Sequence, residues 1–159
     1  MKALVTYYSY SGNTDKIAKM FARILETRGE IHLQRLKPAT EIKGFIGQCM
    51  AAKKGEKTIL EQGVRLDATS YDLILIGSPV WLFAPTPAIN TFLENLSGLK
   101  NKRVIILLTS GSGIGVKACF KSMKKTLEAK GASRIDEINI PNRKNKDSDF
   151  VASSLQKIL

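Results

Sequence analysis

Ser9-Tyr10-Ser11-Gly12-Asn13-Thr14 separates an apolar run from a helical repeat. The run, Ala3 to Tyr8, carries no charge and reads as a buried strand. The repeat, Ile17, Met20, Phe21, Ile24 and Leu25, has the spacing of one helix face. A turn at this junction offers free backbone N–H groups and the positive end of a helix dipole, which together attract an anion. Ser9, Ser11 and Thr14 add hydroxyl donors, and Gly12 lets the backbone come close or take positive φ. The stretch holds no Lys or Arg and lacks the G-x-x-x-x-G-K-[ST] pattern of a nucleotide-binding P-loop. A phosphate here is therefore expected on neutral donors. An ordinary N-cap is the simpler alternative, but three hydroxyls, a Gly and an Asn in six residues exceed what capping requires.

The rest of the chain bounds the reading. Its 159 residues fit one domain, 1–159, with a sizeable core. No apolar stretch approaches the ~20 residues of a membrane span. Met1 to Tyr8 is too short for a signal peptide, and Cys49 and Cys119 form no C-x-x-C pattern. A cytoplasmic protein with two free thiols is expected. His32 is the single histidine, so no His-based triad or metal site is expected. The net charge of +11 admits nucleic acid, an anionic surface or acidic proteins as partners. Lys and Arg are spread along the chain without interleaved aromatics, so nucleic acid is not expected.

In chain order the pattern predicts five strands and five helices. Strand one is Ala3 to Tyr8; helix one runs from Asn13 to Arg28, with Gly29 beyond it. Strand two is Ile31 to Leu36. Ile42, Phe45, Ile46, Cys49 and Met50 fit the buried face of a short helix that ends near Gly55. Residues 56–70 show no period and read as loop. Strand three, Leu73 to Ile76, stops at Gly77-Ser78-Pro79. Thr86 is the expected N-cap and Pro87 the first residue of helix three. Strand four, Val104 to Leu108, ends in Thr109-Ser110-Gly111-Ser112-Gly113. Helix four buries Val116, Phe120, Met123 and Leu127; strand five is Ile135 to Ile140; the last helix is Asp147 to Leu159.

Alternating strands and helices predict a three-layer α/β/α fold around a doubly wound parallel sheet. Strands one, three and four are continuous apolar runs, as two-sided burial demands, whereas two and five are diluted with polar residues. Right-handed crossovers then give the order 2-1-3-4-5. Ligands of such sheets bind where the winding reverses, between strands one and three at their carboxyl ends. Three loops meet there. The first is 9–14. The second, Ser78 to Phe83, brings Val80, Leu82 and two exposed rings, Trp81 and Phe83, in a turn stiffened by Pro79 and Pro85. The third is Thr109, Ser110, Gly111, Ser112 and Gly113, a glycine-rich turn able to bring N–H groups to a ring edge. Phosphate at one end, stacking at the other and backbone donors between them describe a site for flavin mononucleotide (FMN).

These residues carry a family resemblance. Ser9 to Thr14 resembles the phosphate loop of the flavodoxins, T/S-x-T/S-G-N-T. Gly77-Ser78-Pro79-Val80-Trp81, followed by Pro85-Thr86-Pro87-Ala88-Ile89 and Thr91-Phe92-Leu93, resembles the G-x-P-x-W…P…F-L pattern of the short members. Thr109 to Gly113 resembles their third loop. The resemblance implies the doubly wound fold, non-covalent FMN and a redox role, with cofactor contacts from all three loops. It also implies redox partner proteins, a ferredoxin-like protein or a reductase, and the positive charge points to acidic ones.

Three features differ from the family pattern. The third loop has no Tyr, the chain is basic, and Val80 to Ala84 contains no Gly. Two functions remain open: an electron carrier between proteins, or an NAD(P)H-dependent oxidoreductase of FMN or quinones. Phosphoacceptor receiver domains share the strand order but need clustered carboxylates where this chain has Tyr8-Ser9 and Gly77-Ser78. Lys16, Lys53, Lys54 and Lys117 are expected near the crevice, where they would favour adding negative charge to the ring. The missing glycine is expected to disfavour the semiquinone, because a non-Gly residue resists the positive φ that a peptide flip in the second loop can require. Both effects bring the two one-electron reduction steps closer together.

Overall fold

The computed structural model describes residues 1–40 and 44–159. Five parallel strands form one sheet in the order β2-β1-β3-β4-β5. They are β1 (Lys2–Tyr7), β2 (Glu30–Arg35), β3 (Leu73–Pro79), β4 (Arg103–Ser110) and β5 (Arg134–Pro141). The helices are α1 (Asn13–Glu26), α2 (Phe45–Lys53), α3 (Pro87–Asn95), α4 (Val116–Ala129) and α5 (Ser148–Gln156). The expected topology is the observed one.

The sheet separates two cores. Leu4, Ile74, Ile76, Val104 and Ile106 face α2, α3 and α4. Val5, Leu75, Ile105 and Leu107 point the other way, against Ile17, Phe21 and Leu25 of α1 and Val151 and Leu155 of α5. Two-residue alternation thus divides each uninterrupted apolar run between two layers, the pattern of a sheet covered on both faces.

Several boundaries differ from expectation. Both β3 and β4 run past their apolar stretches, so that Pro79 pairs with Thr109 and Ser110 with Pro141. Ser78, Thr109 and Ser110 are buried strand residues, because neighbouring strands continue on either side. Thr86 is the N-cap residue of α3, but its hydroxyl makes no cap bond. Ile42 lies outside the described residues. Helix α2 differs in part from expectation: Cys49 is buried as expected, together with Gln48, Ala51 and Ala52, while Phe45, Ile46 and Met50 are exposed.

Gly77 sets the approach of α1 to the sheet. A Cβ there would lie 2.9 Å from Tyr7 Cβ and 3.3 Å from Thr14 Cγ2. Its absence lets the first turn of α1 settle onto the end of β3, at the point where the winding reverses.

Candidate functional site

The three loops surround an open crevice of about 330 Å³, at the lower end of the range of small-molecule clefts. It is lined by Tyr10, Ser11, Asn13 and Thr14 from the first loop and start of α1, by Pro79, Val80 and Trp81 from the second, and by Thr109 and Gly111 from the third. Phe45 and Asn142 complete it. None of these side chains is charged.

The first loop is shaped by its own hydroxyl. Ser9 is buried, and its Oγ accepts the Gly12 N–H at 3.1 Å, so it folds the turn rather than lining the crevice. Gly12 is the N-cap residue of α1 at φ 87°, with no side-chain cap. The first intrahelical bond runs from Lys16 N–H to Gly12 O at 3.0 Å. Helix geometry therefore leaves the N–H groups of Asn13, Thr14 and Asp15 without intrahelical acceptors. The Thr14 and Thr109 hydroxyls are 2.8 Å apart and buried. Such a pair consumes one proton internally and retains one to donate to a ligand. Asn13 is held by Asn145, whose Nδ2 donates to Asn13 Oδ1 at 2.6 Å.

A polar network anchors this turn to two strands. Tyr7 OH donates to Asp15 Oδ1 at 2.7 Å, Lys19 Nζ to Asp15 Oδ2 at 2.8 Å, and Arg35 Nη2 to Ser9 O at 2.8 Å. Burial raises Asp15, but the hydrogen bonds from Lys19 and Tyr7 outweigh it and hold the carboxyl below its ordinary value. Burial, reinforced by that carboxylate, pushes the Tyr7 phenol upward. Tyr7 therefore stays a donor that fixes the first turn of α1.

The second loop is a two-residue turn. Trp81 and Ala84 exchange backbone hydrogen bonds at 3.0 Å in each direction. Leu82 and Phe83 sit between them at φ 44° and 73°. This conformation ordinarily selects Asn or Gly and costs other residues roughly 1–2 kcal/mol each. The premise that the absence of glycine keeps this loop from positive φ therefore fails: Leu82 and Phe83 already have positive φ. Trp81 also differs from expectation, being only 6% exposed. It packs near-perpendicular to the rings of Tyr8, Tyr10 and Phe45, at 5.8, 5.9 and 5.6 Å. Trp81 thus belongs to the core and still lines the crevice. Phe83 and Leu82 are exposed and outside its lining.

The third loop divides. Thr109 and Gly111 line the crevice, whereas Ser110 Oγ donates to Asn139 Oδ1 on β5 at 3.0 Å. Ser112 and Gly113 border a neighbouring cleft with Gly111, Pro141 and Arg143. Lys16, Lys53, Lys54 and Lys117 line no part of the crevice; Lys16 borders a separate cleft beside Lys19 and Ser148.

Two lining residues escaped the sequence reading. Asn142 follows β5 and enters from the carboxyl end of the sheet; its Oδ1 is buried with no hydrogen-bond partner. Phe45 enters from α2 and packs on Tyr10 at 5.8 Å. The signal for Asn142 was its place after a strand end, the edge where ligands of this topology bind. Phe45 had no such signal.

These residues fit a phosphorylated planar ligand. An uncapped helix start with hydroxyls suits phosphate, the Tyr10–Phe45–Trp81 cluster suits a flat ring, and the orphaned Asn142 oxygen suits a hydroxyl or N–H donor between them.

Residues 2–147 match the flavodoxin family profile. Among curated proteins none matches by sequence. Solved structures share the fold. A flavoprotein from Lactobacillus acidophilus, solved in complex with FMN, is 24% identical, with 93% of this chain and 98% of that one aligned at TM-score 0.65. The apo form of an NADH:FMN oxidoreductase is 19% identical, aligned over 99% of this chain and 86% of that one at TM-score 0.70. Oxidised flavodoxin 1 from Bacillus cereus is 16% identical over the whole of both chains at TM-score 0.63. The described residues contain no helix long and apolar enough to cross a membrane. The chain belongs to the flavodoxin family, whose cofactor is FMN.

Proposed function

We propose that this protein carries electrons between redox partner proteins with FMN held in the crevice. The observation that supports this most is the polarity of an uncharged crevice. Its one end is the uncapped start of α1, and its other end is the Tyr10–Phe45–Trp81 cluster. FMN supplies one- and two-electron redox chemistry at its ring. The N–H groups of Asn13, Thr14 and Asp15, with the hydroxyls of Ser11 and Thr14, hold the phosphate without a cation. The Tyr10–Phe45–Trp81 cluster would form an apolar wall for the ring, and Pro79, Val80 and Gly111 would line the rest of the crevice. Asn142 accepts a hydrogen bond from the ligand. Cys49 and Cys119 are free and buried, which suits a reducing cytoplasm.

A second reading has its own support. The likeness to an NADH:FMN oxidoreductase favours an enzyme that takes hydride from NAD(P)H and reduces FMN or a quinone. Single-turnover mixing of the FMN-loaded protein with NADH or NADPH separates the two. Our reading predicts no flavin bleaching over minutes; rapid stoichiometric bleaching at 450 nm (about the oxidised-flavin maximum) would establish the enzyme.

A further inference from the structure

No side chain that lines the crevice is charged, so a phosphate there depends on dipoles aimed at it. The Thr14 hydroxyl has its partner in Thr109, at 2.8 Å. Ser11 is held differently. Its Oγ accepts a hydrogen bond from Asn13 Nδ2 at 3.2 Å, and Asn13 Oδ1 accepts one from Asn145 Nδ2 at 2.6 Å. Ser11 and Asn13 line the crevice, whereas Asn145 stands behind them. It lies 132 residues from Asn13, in the segment between β5 and α5.

That segment is braced at both ends. Pro141 pairs with Ser110 at the end of β4, Asn142–Lys144 form a single 3₁₀ turn, and the Asn145 N–H donates to Asn142 O at 3.3 Å. Two residues on, Asp147 accepts the Phe150 N–H at 3.0 Å as the N-cap of α5 and pairs with Lys144 at 3.1 Å. Helix α5 shares a core with α1, through Val151 and Leu155 with Ile17 and Phe21. The Asn145 amide is therefore carried to the phosphate loop by a turn that is fixed on either side.

The hydrogen bonds run in one direction. Asn145 gives an N–H to Asn13, and Asn13 gives an N–H to Ser11. The Ser11 hydroxyl proton has no acceptor among the described residues. A hydroxyl whose oxygen already accepts a bond keeps its proton for another partner. A phosphate dianion only accepts, so it requires this polarity. In the reverse polarity Asn13 Oδ1 takes the Ser11 proton, and the loop presents lone pairs to the anion.

We propose that Asn145 is a positioning residue for the phosphate loop: acting through the Asn13 amide, it turns the Ser11 hydroxyl proton toward the phosphate of FMN. This rests on the reading of the crevice as an FMN site.

The test is a titration of apoprotein with FMN and with riboflavin, which lacks the phosphate, followed by Trp81 emission. The ratio of the two affinities reports the phosphate site. Asn145→Ala is expected to weaken FMN about five-fold, the size of one neutral hydrogen bond, and to leave riboflavin within about two-fold. Ser11→Ala is expected to weaken FMN about ten-fold, as loss of a bond to a charged acceptor does. The losses should not add: in the Ser11→Ala background, Asn145→Ala costs FMN less than about two-fold. Asn145→Asp keeps the shape of the side chain and serves if the alanine variant does not fold. Its carboxylate only accepts, so the Asn13 amide turns over and takes the Ser11 proton. FMN then weakens, in part by repulsion from the new charge, but Ser11→Ala in that background changes its affinity less than about two-fold.

Equal weakening of FMN and riboflavin in Asn145→Ala would make Asn145 a structural residue only and overturn the proposal. So would additive losses for Ser11 and Asn145, or a ten-fold effect of Ser11→Ala that persists in Asn145→Asp. Failure of the underlying reading looks different. Wild-type protein that binds neither flavin, or both equally, has no phosphate site in the first loop, and the proposal falls with that assignment. A large wild-type ratio that both Asn145 variants leave unmoved overturns the relay alone.

Discussion

Helices α1 and α2 both contribute to the crevice, but they use their apolar residues in opposite ways. Helix α1 buries Ile17, Ala18, Phe21, Ala22 and Leu25 against the sheet and α5, leaving its N-terminal N–H groups as its contribution to the site. Helix α2 buries small or polar residues and turns Phe45, Ile46 and Met50 outward. In α1 the hydrophobic effect holds the site in place. In α2 large apolar side chains are part of the surface, and only Cys49 and Ala52 join the core that it shares with α3 and α4. The difference teaches that an apolar stripe does not by itself report burial; beside a functional crevice the stripe can face outward.

Mutations in the two helices should therefore separate cleanly. Phe21→Ala removes a fully buried ring and is expected to cost about 3–5 kcal/mol of stability, read from urea midpoints. A loss below ~1 kcal/mol would mean that α1 does not carry the core. Thr14→Ala should leave the fold intact and weaken FMN about ten-fold or more, because it breaks the Thr14–Thr109 pair and a charge-assisted bond of roughly 1.5–3 kcal/mol. Thr14→Ser should retain most of the affinity. Equal FMN affinity in the Ala variant would move the phosphate away from α1.

A smaller effect is expected from acid. The Asp15 carboxyl is held below its ordinary value of 3.8, so its stabilisation of α1 is complete above that pH. It is lost as the pH falls through the folded value. Acid titration of stability should be shallower in Asp15→Asn than in the wild type, and an identical profile would show that the Tyr7–Lys19 network is not what sets it. Ile46→Ser should have the smallest effect on stability, within about 0.5 kcal/mol, because an exposed side chain loses nothing on folding. A large loss there would return Ile46 to the core and remove the contrast between the helices.

The same contrast explains what was legible in the sequence. Strands β1, β3 and β4 were readable because burial on both faces leaves no room for polar residues, and their order followed from that. Helix α1 was readable because one buried face enforces its period. The ends of β3 and β4 were not, since Ser78, Thr109 and Ser110 resemble turn residues while their hydroxyls are buried. Helix α2 misled because its apolar residues are the exposed ones. Trp81 was placed at the right crevice but in the wrong environment: neighbours from two distant segments, Tyr8 and Tyr10 after β1 and Phe45 on α2, pack on it, and no local pattern reveals them. Leu82 and Phe83 gave no sign of positive φ, because their conformation is set by the Trp81–Ala84 hydrogen bonds and opposes their own preference.

The most direct measurement is a paired titration of the purified apoprotein with FMN and with riboflavin, followed by quenching of Trp81, the single tryptophan. The uncapped start of α1 predicts that FMN binds at least about a hundred-fold more tightly, since riboflavin forfeits several hydrogen bonds of roughly 1.5–3 kcal/mol each to the phosphate dianion. Strong quenching is expected with both. Equal affinity for the two ligands would contradict the assignment of the first loop as the phosphate site.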